Sequence, residues 1–109
     1  MTVQMMKDRL GLEVLTAGDL SREVTGCYCG DLLSWVMGKA KEGDCWLTVM
    51  GNINAVAVAV LTDCACIVLT EHAALDEAAK LRAEQQGVTI LTTDESAYAL
   101  AVRLSAVIA

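Results

Sequence analysis

The chain contains no phenylalanine and no proline, and only 4% of its residues are aromatic. Without phenylalanine, the core has to be built mainly from aliphatic side chains, which are among the residues most often fully buried. The 109 residues are 55% hydrophobic, a composition that excludes disorder. A chain of this length buries roughly two-thirds of its unfolded surface. We therefore expect one domain, residues 1–109, that folds without a disulfide or a structural metal.

Basic residues are scarce as well. Eight Lys and Arg stand against fourteen Asp and Glu, which gives a net charge of -6. The bases are scattered and form no stripe, so the sequence excludes an electrostatic nucleic-acid surface. No apolar run reaches membrane-spanning length, and the first residues lack an apolar signal core behind a basic patch. These patterns predict a cytoplasmic protein that neither crosses a membrane nor binds nucleic acid.

Apolar spacing and glycine positions predict alternating helices and strands. A helix over residues 2–10 should end at Gly11, and another should run from Asp31, as its cap, to Gly43. Gly38 inside the second helix suggests that another backbone or a ligand passes close by. The expected strands are residues 12–16, 44–50, 64–69 and 88–91. Two further helices are expected over residues 75–86 and 97–104.

Residues 53–61 fit two structures. Their alternation favours a strand, whereas their alanines favour a helix capped by Asn52 or Asn54. We favour the helix because parallel strands on either side would need a crossover, and the hairpin alternative stays open. The whole pattern predicts a single small three-layer α/β domain, with a mainly parallel sheet and helices on both faces. Ligands in such sheets collect at the carboxyl ends of the strands.

The segment from Ser21 to Ser34 is the richest in chemistry, and we expect it to be a loop between a strand and a helix. Free N–H groups at the start of that helix would favour an anion such as a phosphate. The segment matches neither the Walker pattern nor the three-glycine dinucleotide fingerprint. Asp31 would repel a bare phosphate, but it would suit a magnesium-bound nucleotide or a sugar hydroxyl. A capped turn whose glycines adopt positive φ is the alternative.

Four stretches carry a resemblance to a known family: Arg22–Met37, Ala40–Asp44, Asn52–Ala59 and Gly87–Thr93. Together they resemble the DRTGG domain family over almost the full length. Arg22, Thr25 and Gly26 match the motif that gives the family its name. Ser21 replaces its leading aspartate, and Cys27 replaces its second glycine.

The resemblance implies a fold akin to the amino-terminal domain of HPr kinase, a homodimer, and a regulatory role without catalysis. Similar domains occur in CBS-domain pyrophosphatases, in some phosphotransacetylases, and as stand-alone proteins. Some of these stand-alone copies lie in gene groups for iron-only hydrogenases and histidine-kinase-like ATPases. An adenine nucleotide as ligand and a redox or signalling protein as partner are therefore the expectations. The candidate ligand-binding residues are Arg22, Thr25, Gly26, Gly30, Asp31, Ser34, Asn52 and Asn54.

Five cysteines are an odd number in a chain without an export signal, so a disulfide framework is not expected. The pairs Cys27/Cys29 and Cys64/Cys66 suggest an alternative, a zinc or iron-sulfur protein whose ligands are Cys27 and Cys29. We expect Cys64 and Cys66 to share one face at the start of their strand, at the opposite end of the sheet from the first pair. That placement argues against one four-thiolate site within a single chain, although a dimer would bring like pairs together.

No nucleophile with a base and an orienting group emerges from the sequence, so we do not predict an enzyme. The leading hypothesis is a ligand-sensing regulatory module. A metal or iron-sulfur carrier and a purely structural dimerisation module are the alternatives.

Overall fold

A computed structural model of the protein describes residues 1–108. From β2 onward helices and strands alternate along the chain, which confirms the predicted α/β class. In chain order they are α1 (Val3–Leu10), β1 (Glu13–Thr16), β2 (Gly26–Cys29), α2 (Leu33–Lys39), β3 (Asp44–Thr48), α3 (Ile53–Thr62), β4 (Cys66–Leu69), α4 (Glu77–Gln86), β5 (Ile90–Thr92) and α5 (Ala97–Val107).

The five strands form one mainly parallel sheet in the order β1-β5-β4-β3-β2. Strands β2 to β5 are parallel, and β1 pairs antiparallel with β5. Each step from β2 to β5 moves one strand along the sheet through a helix. Since such crossovers are right-handed, α2, α3 and α4 lie on one face. Helices α1 and α5 pack together on the other face, so the predicted three layers are confirmed.

Two apolar layers, one on each side of the sheet, form the core. On the α1/α5 side, Leu47, Val68 and Leu91 of the sheet are buried with Met6 and Leu100 of the helices. On the α2–α4 side, the inward residues include Trp46, Ile67, Val56 and Ala83. Strands β3, β4 and β5 are buried on both faces, as their nearly continuous apolar sequences indicate.

The ambiguous segment is helical. Helix α3 begins after Asn52, whose side-chain Oδ1 accepts a hydrogen bond from the Ala55 N–H at 2.9 Å. Asparagine is a favoured N-cap because its oxygen satisfies an N–H that the helix itself leaves without a partner. The preference for a helix over a hairpin is thus confirmed, and Asn52 rather than Asn54 is the cap.

Three expectations around the second helix are wrong. Residues 26–29, expected within a loop, form the edge strand β2. Helix α2 follows Leu32 rather than Asp31 and ends at Lys39, well before Gly43. A Cβ atom built on Gly38 would have no neighbour within 4 Å, so no other backbone passes close to it.

The two faces of the sheet are covered unequally. Three helices, α2 to α4, pack on one face, and two, α1 and α5, pack on the other. On the α1/α5 face, Cys45 and Cys66 are buried, whereas the side chains of the neighbouring strand β2 are exposed. The bare part of this face is therefore the side of β2 that carries Cys27 and Cys29. We call these two residues the uncovered strip. No helix within residues 1–108 is long and apolar enough to span a membrane.

Candidate functional site

Strand β2 separates the predicted ligand residues into two groups. Arg22, Thr25 and Gly26 lie at the amino-terminal edge of the sheet, whereas the other five lie at the carboxyl edge, after β2 or β3. Four residues of strand at about 3.3 Å each place the two groups roughly 13 Å apart. The structure therefore does not bring all eight residues into one pocket.

Arg22 makes a structural contact. Its guanidinium donates to the Asp63 carboxylate and to the Asp63 carbonyl oxygen, both at 3.0 Å. Asp63 ends helix α3 in a left-handed conformation with φ 56°. Since the carbonyl groups at a helix end lack partners within the helix, Arg22 stabilises this terminus. Hydrogen bonding to Asp63 raises the pKa of Arg22 and keeps it charged.

Thr25 and Gly26 pack against the start of β3. The Thr25 N–H donates to the Gly43 carbonyl at 3.0 Å. A Cβ built on Gly26 would lie 2.6 Å from the Asp44 carboxylate, which accepts the Lys41 N–H at 2.8 Å. Gly26 therefore leaves room for the carboxylate that closes the turn before β3. The structure accounts for both motif residues through packing.

At the carboxyl edge, Asp31 connects the ends of β2 and β3. Its Oδ1 accepts hydrogen bonds from the Thr48 hydroxyl at 2.7 Å and from the Val49 N–H at 2.9 Å. Just before it, the Gly30 carbonyl accepts the indole N–H of Trp46 at 2.8 Å. These bonds hold Gly30 and Asp31 against β3, and Asp31 does not cap α2.

We expect Asp31→Ala to lower the free energy of unfolding by about 1–2 kcal/mol, because two hydrogen bonds to a charged acceptor are lost. Asp31→Asn keeps an oxygen in reach of the same donors and should recover part of the loss. Urea unfolding of the wild type and both variants measures this. Equal losses for alanine and asparagine would contradict the assigned hydrogen bonds.

The remaining candidates at this edge differ in their surroundings. Asn52 is engaged in capping α3, whereas Ser34 and Asn54 are exposed. Next to them, an open depression is lined by Tyr28, Cys29, Gly30, Asp31, Leu32 and Trp35. Leu32 and Trp35 are unusually exposed for apolar side chains, at 61% and 59%. The carboxyl edge thus combines a carboxylate with an apolar surface.

The turn after β4 contains a feature that sequence reasoning missed. Glu71 and His72 both adopt left-handed conformations, with φ 57° and 53°. Such residues cost about 1–3 kcal/mol each and cluster at functional sites. Their N–H groups donate to the carbonyls of Glu95 and Thr93, both at 2.8 Å. No glycine or asparagine marks this turn, so the sequence carries no signal for it.

The cysteines are arranged differently from the prediction. Cys27 pairs with Cys45, and Cys45 pairs with Cys66, so three neighbouring strands place thiols in one row. The expectation that Cys66 lies at the opposite end of the sheet from Cys27 is therefore wrong. Cys64 precedes β4 and packs on the α2–α4 side instead, so it does not share a face with Cys66. Strand pairing brings together thiols that are far apart in sequence.

Exposure separates the thiols on this face of the sheet into two groups. Cys45 and Cys66 are buried in the α1/α5 layer, whereas Cys27 and Cys29 are exposed, with their Sγ atoms 4.0 Å apart. Desolvation of the sulfur against the sheet and the neighbouring Cys29 raise the pKa of Cys27 to about 12. A hydrogen bond with Cys66 and burial raise the pKa of Cys45 well above its ordinary value. Within residues 1–108, no three metal-ligating side chains are grouped to hold an ion.

The model of the DRTGG domain family matches residues 6–107. The chain belongs to the DRTGG domain family. The predicted resemblance is thus confirmed over nearly the whole chain. Two residues of the family motif, Arg22 and Gly26, have packing roles here. A search among curated proteins gave no match.

Among solved structures, the DRTGG domain is similar to the CBS and DRTGG domains of the regulatory region of Clostridium perfringens pyrophosphatase, which were crystallised with the activator diadenosine tetraphosphate. The TM-score is 0.73 at 11% sequence identity, and the match covers 94% of this chain. It covers 45% of the pyrophosphatase region, so this chain corresponds to about half of that structure. The similarity establishes a shared fold.

Proposed function

We propose that this DRTGG domain is a non-catalytic regulatory module that forms a homodimer and responds to an adenine nucleotide. The observation that carries the proposal is the incompletely covered edge of the sheet, with β2 pairing on one side only and exposed apolar side chains beside it. A surface of this kind suits association with another protein surface better than it suits catalysis.

The support for a homodimer comes from strand β2. An edge strand presents backbone groups that a second strand can pair with. A two-fold axis at this edge would place the same strand of a second copy beside it, so that the two uncovered strips lie next to each other on one face of the joined sheet. Trp35 and Leu32, which lie beside β2, would extend the contact.

Native mass spectrometry and analytical ultracentrifugation test the homodimer. We expect a dimeric mass at micromolar concentration, and a shift towards monomer for Trp35→Glu, which places a charge on the proposed contact. Leu81→Glu is the matched control, because Leu81 is equally exposed, at 57%, but lies on α4. A monomeric wild type would refute the dimer.

The support for a nucleotide comes from the carboxyl edge, where parallel sheets bind ligands. Two features lie at this edge. One is the left-handed backbone at Glu71 and His72, and the other is the Gly30–Asp31 turn, which hydrogen bonds hold against β3. Because the chain carries a net charge of -6, we propose that the nucleotide binds with magnesium, which offsets the repulsion from Asp31. The activator in the pyrophosphatase structure is an adenine dinucleotide, which makes this ligand class the first to test.

Calorimetry and thermal shift with AMP, ADP, ATP and diadenosine tetraphosphate, each with and without magnesium, test the ligand. A binder should raise the melting temperature in a concentration-dependent way. A ligand that favours one arrangement of the dimer would then shift partner binding. If the whole panel gives neither heat nor thermal shift, the DRTGG domain is a purely structural dimerisation module.

The partner and the location are further parts of the proposal. The family resemblance supports a redox or signalling protein, including one linked to a hydrogenase. Five cysteines without a disulfide support a reducing compartment such as the cytoplasm.

A further inference from the structure

We propose that Cys27 and Cys29 form half of a tetrahedral zinc site, which the same two residues of a second copy complete. This inference rests on the proposed homodimer and adds a ligand to its contact. The site would lie on the uncovered strip, and one Zn²⁺ would bridge two chains.

The spacing of the two sulfurs suits zinc. With zinc–sulfur bonds of about 2.3 Å and tetrahedral angles, two sulfurs on one ion lie about 3.8 Å apart. The Sγ atoms of Cys27 and Cys29 are 4.0 Å apart as they stand. The two side chains therefore need only small rotations to bind the same ion.

The strand makes this pairing possible. Side chains two residues apart on a strand point to the same face, so Cys27 and Cys29 project together from β2. Tyr28 between them points the other way and packs on the α2–α4 side. Both thiols are exposed, since α1 and α5 do not extend over β2. An ion can reach the pair without any rearrangement of the core.

One chain does not supply the remaining ligands. The nearest thiols in the row belong to Cys45 and Cys66, which are buried in the α1/α5 layer. No group of three metal ligands is present within residues 1–108. A structural zinc site has four ligands, and a two-fold axis beside an edge strand supplies a second identical pair.

Zinc is held by thiolates, so the four thiols lose their protons when the ion binds. As the four sulfur–zinc bonds form, each thiol releases its proton to solvent, and the divalent cation offsets half of the negative charge.

Zinc titration of the full chain tests the site. The protein is reduced with a phosphine, and Zn²⁺ binding is followed by competition with a chromogenic chelator and by native mass spectrometry. We expect one zinc per two chains and a dimeric mass that carries one ion. Co²⁺ in place of zinc should give the visible bands of a tetrahedral ion and strong sulfur-to-cobalt absorption.

Matched variants separate this site from adventitious binding. Cys27→Ser and Cys29→Ser should each reduce zinc affinity by at least tenfold and abolish the cobalt bands. Cys64→Ser should retain both properties, because Cys64 lies outside the row. Because both positions are exposed, serine should leave the fold intact, which far-ultraviolet circular dichroism checks.

Other outcomes overturn the inference: no bound zinc, one zinc per chain, unchanged affinity in Cys27→Ser, or an iron-sulfur chromophore after anaerobic purification. A wild-type dimer that binds no zinc would refute the zinc site and leave the proposed homodimer intact. A monomer that binds no zinc would refute both.

Discussion

Trp46→Ala should lower the free energy of unfolding by about 3–5 kcal/mol, the loss typical of deleting a large buried aromatic side chain. Trp46 has no exposed surface and lies in the middle of β3, facing the helices α2 to α4. Alanine would leave a cavity there. It would also remove the indole N–H that donates to the Gly30 carbonyl at 2.8 Å, next to the Asp31 turn.

Two variants identify the causes of this loss. Trp46→Phe retains most of the side-chain volume but not the hydrogen bond. It should therefore lower the free energy of unfolding less than Trp46→Ala does, by the contribution of the hydrogen bond and of the remaining packing defect. Leu81→Ala truncates an apolar side chain that is 57% exposed on α4, outside the proposed dimer contact, and should change stability by less than about 0.5 kcal/mol. Urea unfolding followed by circular dichroism measures all three variants without depending on tryptophan fluorescence. Equal losses for Trp46→Ala and Leu81→Ala would contradict the buried position of Trp46.

Gly51→Ala should lower the free energy of unfolding by about 2–3 kcal/mol, the upper part of the range for overpacking. A Cβ on Gly51 would collide with the Ala74 carbonyl oxygen, which is backbone and has no rotamer with which to move away. The Gly51 carbonyl also accepts the Asp76 N–H at 2.8 Å, so the two loops cannot separate without losing this bond. The substitution therefore acts on the carboxyl edge of the sheet.

Gly38→Ala is the matched control and should have the opposite sign. Gly38 lies inside α2 with open space around its position, so alanine should stabilise the protein by about 0.5–1 kcal/mol through helix propensity. Thermal and urea unfolding of both variants give the comparison. If Gly51→Ala leaves stability unchanged, the close approach between the loops of Gly51 and Ala74 is wrong.

Local patterns predicted most of the fold. The helices around Val3–Leu10 and Ile53–Thr62 follow from residue spacing and from caps that lie next to them in sequence. Strand β2 was not predicted, because an edge strand can form with few apolar residues and then lacks the pattern that marks a strand. Gly26–Cys29 contains glycine and two exposed thiols, and its strand conformation depends on pairing with Asp44–Leu47.

The candidate site was less accessible to sequence reasoning. Arg22 and Asp31 lie nine positions apart, and a loop between them would have allowed one pocket. Because β2 occupies this interval, Arg22 is placed against Asp63 and Asp31 against Thr48. The resemblance identified the family, but the roles of these side chains depend on their neighbours in space.

The sequence by itself determined the α/β class, the alternation of its elements and the family, because periodicity, caps and motifs are local properties of the chain. Only the tertiary structure decided that Cys27, Cys45 and Cys66 share one row and that two helices leave β2 uncovered. Strand order and register arise from contacts between distant segments, and a shift of one residue would turn each thiol to the other face.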